Sequence, residues 1–423
     1  MTDTTDQPPA TPHRRTSSAL KLALSALSSL RLTVFLLGAS MVVVFLATID
    51  QVHLGIHEVI DIYFHRFIAY YDLRKGGGFD ESVGAILPPT PFFRIWLPGG
   101  YTLGTLLLVN LIAAHTVRFK MSWRKSGIFL IHAGIVLLLI GELFTGLLAR
   151  ESQMTLDEGQ TLNFSEDPLE AELAFVDVSN PGLERHIAIP ESRLRPGAVI
   201  AHPELPFRVE VVDFHANARL RTKEGPAGEG WLDVPANQDL GPRVQWFPMA
   251  PARTLDDVSL PAVVVRLRDG GRDFGSWLAS RQIPVSQAFT TSDGRSWRLA
   301  LRGRRSYKDF SITLNEFQHE RYPGTNIPKD FSSFITLTSP EDRKGRDIRI
   351  WMNHPLRHEG YTFYQHQFAN DDTTSILLVV NNPSWLIPYI SCVAVFLGLG
   401  VQFGIGLFSH LGRRRKKAAA AVT

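Results

Sequence analysis

Cysteine is almost missing from this 423-residue chain: Cys392 stands alone, so no internal disulfide and no C-x-x-C redox pair can form. Cys392 lies inside an apolar run and reads as inert packing, which assigns any thiol chemistry to another molecule. Net charge is equally scant at +3. The basic residues sit beside apolar segments, where lipid and topology account for them, and nucleic acid is therefore disfavoured as a partner. Neither G-x-S-x-G nor H-E-x-x-H occurs, which argues against a membrane-tethered hydrolase. Internal repeats and coiled-coil heptads are lacking too.

Long apolar runs are what the chain does have. Mean hydropathy is near zero, a balance of strongly apolar stretches against a sizeable polar region. Four stretches reach the roughly 20 residues that a bilayer requires, at 32–49, 95–115, 127–148 and 384–409. A polar tail precedes the first, so it reads as a retained anchor rather than a signal peptide. So few polar groups interrupt the four runs that an aqueous solute pathway is a poor fit.

Cationic flanks set the expected topology. Arg14, Arg15, Lys21 and Arg31 precede the first run, Arg118, Lys120, Arg124 and Lys125 fill the second connection, and Arg413 to Lys417 follow the last. The tail 1–31, the loop 116–126 and the tail 410–423 should then be cytoplasmic, with 50–94 and 149–383 on the opposite side. Segment 149–383 alternates apolar and polar residues in short stretches starting at Ala171, Phe207, Ala262, Trp297, Phe310, Phe331, Asp347, Tyr361 and Ser375. The fold class expected is a bundle of four transmembrane helices with a large extracytoplasmic antiparallel β-rich domain between the third and fourth. Residues from Lys223 to Asp256, rich in Gly, Pro and Asp, read as a long loop.

Histidines are the chemically suggestive residues. His132 lies within the third run, where a neutral imidazole can ligate a metal, relay a proton or simply hydrogen-bond a neighbouring helix. Starting from Ser126, it sits about 9 Å along the helix axis. His115 ends the second run and reads either as an assisting ligand or as a snorkelling interfacial group. Glu142, deeper in the third run, bonds a neighbouring helix or reaches the interface. In the first connection, Val52 to Tyr71 includes His53, His57 and His65 and suggests an interfacial helix, leading into a flexible turn from Lys75 to Gly78. The i,i+4 spacing of His53 and His57 allows chelation, but no third ligand is identifiable.

Near the end of the polar region, His354 and His358 precede Glu359. Pro355 and Gly360 argue against a helix, and residues four apart on a strand lie roughly 13 Å apart, too far to share one ion. A turn between paired strands fits better. With Tyr361, Tyr364 and His366 these histidines form a candidate ligand surface, the alternative being aromatic strand packing.

Three motifs, in order and in their placement relative to the apolar runs, resemble the ResB family, also called CcsB, of cytochrome c biogenesis. They are WLPGGYTLGTLLLVNLIAAHTVRF from Trp96, WRKSGIFLIHAGIVLLLIGE running into ESQMTLDEGQ from Trp123, and IRIWMNHPLRHEGYTFYQHQF from Ile348. The stretch from Arg185 to Thr291 departs from the family pattern. The resemblance implies a protein of the bacterial cytoplasmic membrane with both termini cytoplasmic. It would be one subunit of a haem-exporting cytochrome c synthase rather than an independent enzyme. It further implies haem b as transient cargo and His132 as an axial ligand of the haem iron, with His115 assisting. The surface of His354, His358, Tyr361, Tyr364 and His366 would meet haem or apocytochrome. Implied partners are a CcsA/ResC-type membrane protein supplying a companion ligand, apocytochrome c with its C-x-x-C-H segment, thioredoxin-like thiol reductases and membrane lipid. The W-G-x-x-W-x-W-D pattern of that partner is missing here, the eight Trp residues being scattered. A scaffold that holds partner and apocytochrome without ligating haem is the alternative.

One geometric expectation is independent of the resemblance. Gly127, Gly134 and Gly141 recur every seven residues and form a small-residue stripe, and His132 points about 160° to 180° away from the last two. The glycine face should pack on this chain's own helices while His132 faces the partner.

Overall fold

A computed structural model describes residues 22–73, 94–117, 119, 122–223, 230–250, 259–324, 328–369 and 373–420. The expectations for 1–21, for Arg118 and Lys120, for the 75–78 turn and for the side chains of His53 and His57 lie outside the described residues. The chain divides into two compact units, one of residues 1–149 with 382–423, the other of residues 150–381.

Among the described residues the first unit holds four helices long and apolar enough to cross a membrane: Leu30–Val59, Gly100–Val117, Ser126–Leu148 and Ile387–Ala420. Their outward surfaces are bare hydrocarbon; Phe35, Phe396 and Phe403 are each more than 70% exposed, a pattern that only a lipid environment makes favourable.

Boundaries differ from the sequence reading in three places, each with a local cause. The first helix does not stop at Asp50 but runs on to Val59. Its carboxylate, which looks like the end of a span in sequence, is buried and accepts a 2.6 Å hydrogen bond from the Tyr63 hydroxyl. A π-helical turn, Ile60–Phe64, closes the helix, and Ile68–Asp72 then pairs antiparallel with Arg94–Pro98. Residues 52–64 are thus helical as an extension of the first helix, and a strand pair stands only where the end of the interfacial helix and the start of the second span were expected, because the IAYY and RIWLP runs satisfy each other's backbones. The second helix starts only at Gly100, where a Cβ would stand 2.6 Å from the Phe64 carbonyl oxygen; glycine is what lets the π turn rest on the helix start. The fourth helix continues through the basic tail to Ala420, since Arg, Lys and Ala are good helix formers and no proline interrupts them.

Packing inside this unit uses two devices. Gly127, Gly134 and Gly141 are buried against the fourth helix, where added Cβ atoms would meet Gln402, Val395 and Ile387 within 2.7 Å. Asn110, 1% exposed, ties the second helix to the first: its Oδ1 accepts from Thr33 Oγ1 at 2.6 Å and its Nδ2 donates to the Leu27 and Ser29 carbonyls.

The second unit is antiparallel β throughout its named pairings. Two long strands, Thr161–Asn180 and Ser296–Arg321, run through two of its cores. The stretches at Trp297 and Phe310, read as two strands, belong to the second of these, with bulges near Gly303 and Tyr307 in place of a turn. One core gathers Phe175, Phe207, Val265 and Trp297. The other lies inside a sheet whose order is 346–351, 328–338, 296–321, 161–180, 150–157, 374–381, 361–369 and 356–358. Residues from both ends of this order, Ile350 and Phe363 among them, meet Met154 and Phe310 in that core, so the sheet curls round it; the Trp351–His354 bridge closes the turn that follows strand 346–351. The expected 223–256 loop is also corrected: Val244–Pro248 pairs with Ala218–Thr222 and with Leu232–Asp233. Gln245 binds the Arg221 guanidinium and the Asp233 carboxylate there, and Trp246 is buried.

Candidate functional site: a histidine pair between two apolar helices

His132 meets a histidine of its own chain. Its ring lies 4.7 Å, centroid to centroid, from that of His115 on the second helix, with the planes inclined at 55°. The helices bring the two together because each carries its histidine one turn or two from the short connection between them, Val117 to Trp123. Phe119 and Phe129 complete an aromatic cluster: His115 lies 5.0 Å from Phe119 and 6.4 Å from Phe129, and the Lys125 ammonium stands 5.9 Å over the Phe119 ring.

Hydrogen bonding fixes the chemistry of both rings. His115 Nδ1 is 2.9 Å from the Leu111 carbonyl oxygen, and His132 Nδ1 is 2.8 Å from that of Ile128. A carbonyl only accepts, so each Nδ1 carries a proton, which leaves Nε2 as the ligand atom of the neutral ring. This is the carbonyl-backed arrangement that orients metal-ligating imidazoles. His115 Nε2 is buried without a hydrogen-bond partner, a state that costs free energy unless something binds it. Between the rings themselves there is no room for iron. At a metal–nitrogen distance of about 2 Å, an in-line pair of imidazoles needs centroids about 6 Å apart, so the rings must part before both can hold one metal.

The second candidate surface is not assembled as one patch. His354 stacks on Trp351 at 4.1 Å and is exposed. His358 turns inward against Phe310 at 4.7 Å, with its Nε2 buried and 3.6 Å from Glu359. The turn expected there is in fact two: Asn353 adopts φ 62° beside the Trp351–His354 bridge, and Glu359 and Gly360 (φ 49° and 79°) join strand Leu356–His358 to Tyr361–Ala369. Asn and Gly tolerate this left-handed region. Tyr361 is paired opposite His358 and packs near Phe310. Tyr364 and His366 lie on exposed positions further along, His366 at a bulge between Gln365 and Gln367. That bulge shifts the strand's facing, so Phe368 joins Phe317, His319 and Phe331. No sequence period marks such a cluster.

Lys308 is the residue that sequence reading missed in this region. Its side chain is buried, its Nζ donates to Ser165 Oγ at 2.7 Å and to the Ser306 carbonyl at 3.0 Å, and it sits 4.7 Å from the Tyr361 ring centroid. Burial pushes its pKa down to about 8. Among the described residues no group of three His, Cys, Asp or Glu could hold a metal ion, so the HPLRHEG segment gains no third ligand there.

Comparison with known proteins bears on the end of this chain. Residues 270–386 match the ResB-like family. A stretch of 90 residues is 32% identical to Protein NrfI of Wolinella succinogenes, covering 21% of this chain and 10% of that protein. The match thus spans about a tenth of the curated relative's length.

Proposed function

We propose, from the match of residues 270–386 to the ResB-like family, that the chain serves cytochrome c maturation, handling haem b at the His115–His132 pair. With a CcsA/ResC-type partner it carries haem across the membrane and supports its attachment to the C-x-x-C-H segment of apocytochrome c. The observation that carries this reading is the pair itself. Two imidazoles, each with its Nδ1 on a carbonyl of its own helix, stand in an apolar, aromatic setting. Haem is largely apolar and needs from a protein only its axial ligands and a groove of hydrocarbon.

Orientation follows from charge. Arg124 and Lys125 flank the pair, and by the positive-inside rule they place it near the cytoplasmic leaflet, where haem enters. The β-rich unit then lies on the outer side. Thiol reduction falls to thioredoxin-like partners, since Cys392 is the chain's sole cysteine.

The 4.7 Å separation of the rings favours one other reading, a closed scaffold that holds partner and apocytochrome without ligating iron. Colour decides between them. The complex with its tryptophan-rich partner, purified in detergent, should show a haem absorption band that is lost in His132→Ala and weakened in His115→Ala, and that added imidazole restores. A band unchanged in both variants establishes the scaffold.

A further inference from the structure

Away from the histidine pair the second and third helices part. On the second helix Tyr101, Gly104 and Leu108 are spaced by three and four residues, and on the third Leu139, Glu142 and Gly146 by three and four, so each set keeps to one face. The helices touch through His115 and His132 at one end and line a cavity of about 440 Å³ at the other. Glycine makes the room: a Cβ at Gly104 would meet nothing within 4 Å, and Gly146 sends no side chain toward Tyr101 and His65. Thr105, Glu142 and Leu143, which line the cavity, are exposed. On helices whose outer faces meet lipid, that opening leads sideways into the bilayer.

Three polar side chains converge on this space. A Cβ at Gly146 would lie 3.6 Å from the Tyr101 hydroxyl and 3.8 Å from His65 Nε2, so both atoms approach the same point of the wall. The π-helical turn that ends in the His65 N–H to Ile60 carbonyl bond, 3.0 Å, sets the imidazole there; turns of this kind are frequent at functional sites. His65 stacks on Tyr101 with centroids 5.8 Å apart and planes 16° from parallel. Glu142 follows one helical turn deeper than Gly146, about 6 Å along the axis on the same face. Among the described residues none of the three side chains is hydrogen-bonded to another group of the chain. The remaining walls are apolar, among them Ile60, Phe64, Leu108 and Leu139.

We propose that this cavity binds a membrane-soluble quinone, in its quinone or quinol form, with the ring between the two helices and the apolar tail leaving through the lateral opening. An apolar chamber with a few convergent polar groups is the usual form of a small-molecule site. A bare cation is a poor occupant, since no three donors are gathered here, and a lipid tail would leave the imidazole, the phenol and the carboxyl unsatisfied. A quinone carries one oxygen at each end of a flat apolar ring. Tyr101 and His65 can meet one oxygen and Glu142, a turn away, the other. Phenol and neutral imidazole each donate or accept, and a carboxyl donates when protonated and accepts when ionised. The same three groups therefore suit the carbonyls of the quinone and the hydroxyls of the quinol.

Calorimetric titration of the purified full-length chain in detergent tests this with two probes: menadione, a methylated naphthoquinone, and methylnaphthalene, which has the same rings and no oxygen. One equivalent of menadione should bind, and methylnaphthalene at least about tenfold more weakly. Tyr101→Phe keeps the ring and removes the hydroxyl; it and His65→Ala should each weaken menadione about tenfold. Gly104→Phe fills the cavity and should abolish binding, while His132→Ala leaves it unchanged. Monodisperse elution of each variant shows that it folds. Three results overturn the proposal: no menadione binding, equal binding of the two probes, or binding unmoved by His65→Ala and Tyr101→Phe. The first of these, with a membrane partner that co-purifies with the wild type and is lost in Gly104→Phe, would assign the opening to a partner helix instead. Haem takes no part in the titration, so its failure leaves the haem-handling reading standing.

Discussion

Gly134 packs directly on Val395: a Cβ added to the glycine would stand 2.7 Å from Val395 Cγ2 and 2.9 Å from the Ser391 carbonyl oxygen. Backbone oxygen cannot yield as a flexible side chain would, so the contact tolerates no side chain. Gly134→Leu should therefore separate the third and fourth helices. Overpacking of this kind costs about 1–3 kcal/mol or more. The expected outcome is a lower thermal midpoint and loss of monodisperse protein on size exclusion, whereas His132→Ala retains wild-type yield. Equal protein loss in both variants would show that the two faces of this helix do not have separate roles.

The histidine pair makes a second prediction. Because both rings are held by carbonyls on their own helices, removing one leaves the other oriented as before. Each single alanine variant should weaken hemin binding about tenfold or more, which is about 1.4 kcal/mol, and the double variant should cost little beyond the larger single loss if both rings serve one iron. Fully additive losses in a double-mutant cycle would mean that the rings act on separate ligands.

The glycine stripe and the direction of His132 were legible in the sequence because a helix has a fixed rotation per residue, and Gly127, Gly134 and Gly141 repeat in step with it. What His132 meets was not legible. That depends on how the second and third helices are set by their connection, and the structure places His115 opposite it. Asp50 misled for a related reason: a carboxylate marks the end of a span unless a partner accepts it in the interior, and Tyr63 lies 13 residues away. Most of the strands read by alternation are present. Arg150–Asp157 escaped because its outward residues carry charge and only Met154 and Leu156 are buried. The Lys308 setting was equally hidden, since Ser165 reaches it from a strand 143 positions away.

Lys308 predicts a pH dependence. Its folded-state pKa is pushed down to about 8, so between that value and the ordinary lysine range, near 10.4, the unfolded chain binds more protons than the folded one. Stability contributed by this group must rise with pH across that window, by roughly 3 kcal/mol at most. Lys308→Met keeps the length of the side chain and removes the charge. It should stabilise the β-rich unit at pH 7 and flatten the difference as pH approaches 10. Denaturant midpoints followed by tryptophan fluorescence in both proteins would check this; a wild-type minus variant difference that stays constant from pH 7 to 10 sinks it.

Arg302 and Glu172 make the last prediction, because their ion pair is largely withdrawn from water. The guanidinium Nε donates to Glu172 Oε1 at 3.0 Å, with the two side chains 12% and 8% exposed. The same arginine lies 3.4 Å from His186 Nδ1, and burial followed by this positive neighbour lowers the His186 pKa. Glu172→Ala strands a cation between strands Thr161–Asn180 and Ser296–Arg321, where they pair as Glu172 with Arg302. Removing one partner of a buried pair costs about 3–5 kcal/mol. The double variant Glu172→Ala/Arg302→Ala removes the stranded charge as well and should recover part of that loss. Urea midpoints of the three variants form the cycle. A double variant no more stable than Glu172→Ala would show that the strands are held here by packing, with the charges contributing nothing specific.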